Sequence, residues 1–283
     1  MVYMRSTVPT RRQFLAVGGV ALAGAVLSRS LGAEIIKDVS AGFRSSPSGG
    51  GQVGSSAAPT ATATATAAAN ATPTPTPTPT PAPTPATVTI PVPVYQQSMV
   101  LDCETAALQQ GLAYYGINVS QSQLFAGELA DVRPPVMGPN HTVLRWGNPY
   151  TNFVGYVNGS DWTPTGFGVY WPVILRLART YGLPNAIGGE GFAPSRIYSE
   201  LAAGHPVQVW IETRFARVPL GTWTAWDGTQ VRYSYAEHSV TLSGVSPTQV
   251  RVNDVLNASQ YWVSKALFEA NFADFNNMAV IFQ

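Results

Sequence analysis

Cysteine is all but absent: Cys103 is the single one in 283 residues, so no internal disulfide can form and any thiol chemistry rests on that sulfur. Histidine is nearly as scarce, with three in the chain. No Cys/His cluster has the spacing of a zinc site, and no metal is called for. No glycine-rich loop precedes a Lys-Ser or Lys-Thr pair, so no phosphate cradle and no cofactor is implied. Charged residues make up 11% and the net charge is +1. That balance excludes the basic stripe of a nucleic-acid binder and offers no acidic block. It suits an extracytoplasmic enzyme better. No repeat of solenoid or propeller period is present.

What is there begins with targeting. Thr10-Arg11-Arg12-Gln13-Phe14-Leu15 leads into an apolar stretch, Ala16 to Leu27, and then into small residues ending at Ala33. This is a charged region, a hydrophobic region and a cleavage region, so residues 1–33 are expected to be a signal peptide and not part of the fold. The paired arginines resemble a twin-arginine signal, read by its own export machinery. The apolar stretch is shorter than the ~20 residues of a spanning helix, and an uncleaved anchor is the rival reading. Residues 34–87 turn to Gly, Ser, Ala, Thr and Pro, ending in the Thr-Pro run Thr72 to Pro85. Such a composition cannot bury enough surface to offset its ordering entropy, so a disordered linker is expected. Its Thr-Pro half favours polyproline II and would act as a spacer from a membrane or cell wall.

Residues 88–283 form one domain of ordinary size. Asp102 reads as an N-cap, Cys103 as first-turn, and Leu108, Leu112 and Tyr115 as one helical face stopped by Gly116. Ser120 to Gln123 has the form of a capping box. Trp171-Pro172 opens a helix whose Ile174, Leu177, Ala178 and Tyr181 share a side before Gly182. A further helix spans Ala193 to Ala203. The period then changes to two: strands are expected at Val207 to Thr213, His238 to Val245 and Gln249 to Val255. A helix at Phe268 to Phe272 and a strand at Met278 to Phe282 close the chain. Helices followed by antiparallel strands make an α+β domain.

A cysteine in the first turn of a helix lies where unpaired backbone N–H groups favour a thiolate, so Cys103 is a candidate nucleophile. Its base must come from three histidines. His141 and His205 sit beside Pro or Gly in turn-like surroundings, where a solvated role is the plainer one. His238 opens an apolar strand. A turn near Ser246 to Thr248 would fold the next strand back and bring Asp254 close to His238, able to accept from the imidazole and fix its tautomer. Asn253 is the rival, but alternation turns it to the opposite side. Nucleophile, base and orienting carboxylate make the generalised triad.

Gln97 before Cys103-Glu104, Phe153-Val-Gly155, Gly166-Phe-Gly168-Val-Tyr170, Gly204-His-Pro206-Val207, Glu237-His238 and Asn253-Asp254 together resemble, in order and spacing, the stand-alone C39-like cysteine peptidases of the papain-like superfamily. The resemblance implies a papain-like fold, with N-terminal helices packed on an antiparallel β-sheet. It implies Cys103 as nucleophile, His238 as general base, Asp254 as third member and Gln97 as donor to the oxyanion. The reaction would be peptide or amide cleavage through a thioester, the partner a peptide or protein substrate, and the location outside the cytoplasm. Two alternatives stay open: a cell-wall peptide amidase, and an inactive module on the same fold that binds peptide or wall polymer. The aromatic, turn-rich stretches Trp146 to Tyr170 and Trp223 to Tyr235 are expected partly to border the cleft and partly to fill the core.

Overall fold

A computed structural model describes residues 86–283. The expected signal at 1–33, and the linker as far as residue 85, lie outside the described residues. Along the chain come β1 (Val88–Thr89), α1 (Cys103–Tyr114), α2 (Gln121–Ala126), β2 (Val136–Met137), β3 (Val143–Trp146) and α3 (Trp171–Thr180). Next are β4 (Ile187–Gly189), α4 (Pro194–Ala202), β5 (Val207–Glu212), β6 (Gly221–Ala225), β7 (Gln230–Tyr233) and β8 (Glu237–Val245). β9 (Gln249–Asp254), β10 (Ser259–Ser264), α5 (Lys265–Asp274) and β11 (Ala279–Ile281) complete the fold. Among the described residues no helix is long and apolar enough to cross a membrane.

The main sheet runs β10-β9-β8-β5-β11-β4, with β1 paired to the far end of β8. Its pairings are antiparallel. β8 is buried at every position, as a central strand covered on both faces must be, and alternation sorts its side chains into two sets. Val240 and Leu242 join Val207, Val209, Ile211, Phe268 and Phe272 in one core. Thr241 belongs to the other set and donates to the Ala107 carbonyl of α1, 2.9 Å away. Ala106 and Ala107 are fully buried, and their small side chains let α1 approach the strands closely. Gly111 serves the same end on another side, since a Cβ there would sit 2.3 Å from the Phe282 ring.

Local signals set the helix ends. Gly116, at φ +78°, follows α1 in a conformation costly for any side chain. Ser120 completes a reciprocal capping box with Gln123. α3 opens with Pro172 and buries Val173, Ile174, Leu177 and Ala178. α5 is longer than expected because Ser264 accepts from Leu267 N and starts the helix well before the apolar pair.

A second sheet, β2-β3-β6-β7, was not foreseen. Its strands are two to five residues long, and β3 pairs with β6 in parallel. A short parallel pair with a distant partner leaves no hairpin signature. Phe167 ties it to the rest of the domain by meeting Trp223 of β6 edge-on at 5.0 Å, and within the sheet Trp223 lies 4.9 Å from Tyr233 of β7.

Candidate active site

The β8–β9 hairpin builds one half of the site. Thr241 pairs with Asn253, and an irregularity between Leu242 and Gly244 adjusts the register. The end of β9 thereby returns beside the start of β8. His238 Nε2 lies 2.8 Å from Asp254 Oδ1, and both side chains are buried. Asp254 Oδ1 also accepts from Leu256 N at 3.0 Å, while Oδ2 accepts from the Tyr261 hydroxyl at 2.8 Å. Burial alone would raise the Asp254 pKa, but the hydrogen bond and charge of His238, together with the hydrogen bonds from Leu256 N–H and Tyr261, bring the group to about 2. An ionised carboxylate only accepts, so His238 carries its proton on Nε2, leaving Nδ1 as the basic nitrogen. Asn253 is turned away, engaged with Val92 O, Ser243 and Gln260. Tyr261 had no cue in the sequence, because only the β9–β10 pairing brings it to Asp254.

The other half is the start of α1. Cys103 is its first residue, and Asp102 occupies the N-cap position without a side-chain cap bond. Both Asp102 carboxylate oxygens are buried without a partner, and burial followed by the charge of Glu104 pushes the group up to about 8. The Cys103 thiol donates to Glu104 Oε2 at 3.2 Å; among the described residues no hydrogen bond joins it to His238. Glu104 Oε1 accepts from Val169 N at 2.8 Å. Gly168 makes room for that carboxylate, since a Cβ there would stand 2.1 Å from Glu104 Oε1. Glu237, from the α1-facing set of β8, completes a buried cluster in which one ligand-type atom each of Cys103, Glu104 and Glu237 lies within 4.8 Å of the others.

This neighbourhood overturns the expectation of a depressed thiol pKa. Burial raises the Cys103 thiol most, then the charges of Glu104 and Glu237, against a smaller opposing pull from Ser239 N–H. Burial raises Glu104 to about 7, and burial followed by the charge of Glu104 raises Glu237 well above the ordinary carboxyl range. A helix N-terminus acts with about half a charge, and desolvation beside two carboxyl groups exceeds it.

Cys103, His238 and Gln97 line one cleft of about 150 Å³, with Asp254 behind the imidazole. Gln97 does not present a free amide: its Nε2 donates to Met99 O at 3.1 Å and Val100 O at 2.7 Å, and its Oε1 is buried without a partner. The segment carrying it is clamped by Gln121, which accepts from Ser98 N at 2.6 Å and donates to Gln96 O at 2.9 Å. The remaining histidines stand elsewhere, His205 on Glu200 at 2.7 Å and His141 against the Trp162 carbonyl. Trp146, Phe153, Tyr170, Trp223 and Tyr233 are core, Phe167 reaches the cleft, and Trp162 is 65% exposed.

A model of the Peptidase_C39 like family matches residues 89–280. The YvpB protein of Bacillus subtilis, itself uncharacterized, is 31% identical over 183 residues, which is 64% of this chain and 68% of that protein. The crystal structure of a candidate C39-like peptidase from Bacillus anthracis is similar at 28% identity and a TM-score of 0.60, over 70% of this chain and 98% of the other. Helices combined with an antiparallel sheet are thus a fold shared with a C39-like protein. With most of the described domain matched, the chain belongs to the Peptidase_C39 like family.

Proposed function

We propose that this chain is an exported cysteine peptidase of papain-like type, cleaving peptide bonds with Cys103, His238, Asp254 and Gln97. The observation that carries the reading is the Asp254–His238 bond of 2.8 Å, buried and directed so that the free imidazole nitrogen belongs to a residue lining the same cleft as Cys103. A buried carboxylate dedicated to one histidine is the arrangement that orients a general base.

The thiol would turn from Glu104 towards His238, whose Nδ1 takes its proton as sulfur attacks the carbonyl carbon. The carbonyl π electrons move onto oxygen, where Cys103 N–H and the Gln97 amide, released from the Met99 and Val100 carbonyls, stabilise the charge. Protonated His238 then gives its proton to the leaving nitrogen as the C–N bond breaks. Water, deprotonated by His238, hydrolyses the thioester and restores the thiol. Residues 1–33 would direct export by the twin-arginine route, and 34–87 would tether the domain to membrane or wall.

A second reading, a peptide-binding module without turnover, is favoured by the raised thiol and the occupied Gln97 amide. One experiment separates the two. The protein is incubated with a labelled peptide mixture and, in parallel, with iodoacetamide at neutral pH. Cleavage that disappears in Cys103→Ala supports the peptidase; intact peptides and a thiol no faster than a free one support the module.

A further inference from the structure

We propose that the cleft beside Cys103 selects a primary ammonium on an unbranched alkyl stem, the side chain of a lysine-type residue, with Glu237 as its principal acceptor. The inference rests on the reading that this cleft receives the peptide, and it names the substrate class. Glu237 is 7% exposed and lines the cleft, yet its Oε1 has no hydrogen-bond partner. A buried acceptor left open in an otherwise satisfied strand calls for an occupant. Asp161 lines the same cleft, and among the described residues no lysine or arginine does.

Shape agrees with charge. The cleft is small, about 150 Å³, and a lysine side chain is a single unbranched stem of four methylenes ending in one ammonium. Val100, Leu101, Phe167 and Leu256 supply hydrocarbon walls for the stem, and the ammonium brings three rotatable donors for the carboxylates. A guanidinium fork matches the two oxygens of a single carboxylate, whereas the rotatable donors of an ammonium suit acceptors on two separate residues, Glu237 and Asp161, which line the cleft together. Glu104 is not free to serve, since its oxygens already hold Val169 N–H and the thiol. An ammonium here would also offset the charges of Glu104 and Glu237 that, after burial, raise the Cys103 thiol.

Because Cys103 is the single cysteine, thiol-directed reagents of different charge read the cleft without turnover. The full chain is treated with aminoethyl, methyl and sulfonatoethyl methanethiosulfonates, and each rate is divided by that of N-acetylcysteine amide. The expected result is an aminoethyl preference of about tenfold or more over methyl, with sulfonatoethyl slowest, and collapse of the preference in Glu237→Gln. Ratios equal to those of the free thiol, or unchanged in Glu237→Gln, overturn the proposal. Should that variant fail to fold, protection of the wild-type thiol from iodoacetamide decides instead: n-butylammonium must protect and n-butanol must not, and equal protection overturns it. An ammonium preference without cleavage of any peptide would refute the peptidase reading while upholding this one.

Discussion

The two halves of the site are built on opposite electrostatic terms. On the β8–β9 side, every polar atom of the His238–Asp254–Tyr261 chain that matters for orientation is paired, and Asp254 is held near pKa 2. On the α1 side, Asp102, Glu104 and Glu237 are buried with raised pKa values, and unpartnered oxygens remain on Asp102 and Glu237. The difference teaches that the His238 side, proposed as the base, is fully paired, while the Cys103 side, proposed as the nucleophile, is not. Its thiol is held up by burial first and then by the charges of Glu104 and Glu237, which a cationic ligand can offset.

The largest effect expected is loss of turnover. Cys103→Ala and His238→Ala should each lower kcat/KM at least about 1000-fold while circular dichroism stays native; retained activity in either removes that residue from the mechanism. Next, Asp254→Asn should reduce kcat by about 10²–10⁴ by favouring the wrong tautomer. A pH–rate profile that merely shifts, with the maximum unchanged, would instead make Asp254 a charge source without a role in orientation. Gln97→Ala should cost about 10²–10³ in kcat; an effect on KM alone would mean that its amide stays on the Met99 and Val100 carbonyls throughout.

The nucleophile side has its own signatures. Glu104→Gln should move the pH profile of Cys103 alkylation to lower pH, because it removes a neighbouring charge and replaces the best acceptor of the thiol proton; an unmoved profile would leave burial as the whole cause. Stability should follow the raised carboxyls. Asp102 and Glu104 stand at about 8 and about 7 against ordinary values of 3.8 and 4.5, so the folded state holds protons that the unfolded state releases. Their contribution is complete below about pH 4 and is lost as pH rises to 7–8. Thermal scans should therefore give a lower Tm at pH 8.5 than at pH 5, with Asp102→Asn flattening the difference. Asp254 has the opposite sign, contributing above its ordinary pKa and failing only as pH falls through about 2. The smallest change is Tyr261→Phe, expected to cost about 1 kcal/mol of stability, read from denaturant midpoints.

Much of the hairpin was legible because it is local. His238 and Asp254 are 16 residues apart, the turn near Ser246 to Thr248 is visible, and alternation alone separates Asp254 from Asn253. Cys103 at a helix start was legible for the same reason. The thiol environment was not, since Glu237 and Gly168 come to Cys103 and Glu104 through the β8–α1 packing and a distant loop, and burial dominates the balance of charges there. Gln97 shows the same limit: its place before the helix can be read along the chain, but its bonds to Met99 and Val100 cannot.

By itself, the order of residues determined one thiol, one imidazole at the head of a strand, a carboxylate on the returning strand, and a mixture of helices with an antiparallel sheet, though the short strands β1, β2, β3 and β4 that precede or separate the helices were not legible. These depend on period, caps and turns, which act over a few residues. Tertiary packing alone decided that the thiol rests on Glu104, that Tyr261 locks Asp254, that the short sheet β2-β3-β6-β7 forms, and that Glu237 lines the cleft with a buried oxygen left unpaired. Desolvation and long-range pairing depend on what surrounds a group in space, and no local pattern encodes that.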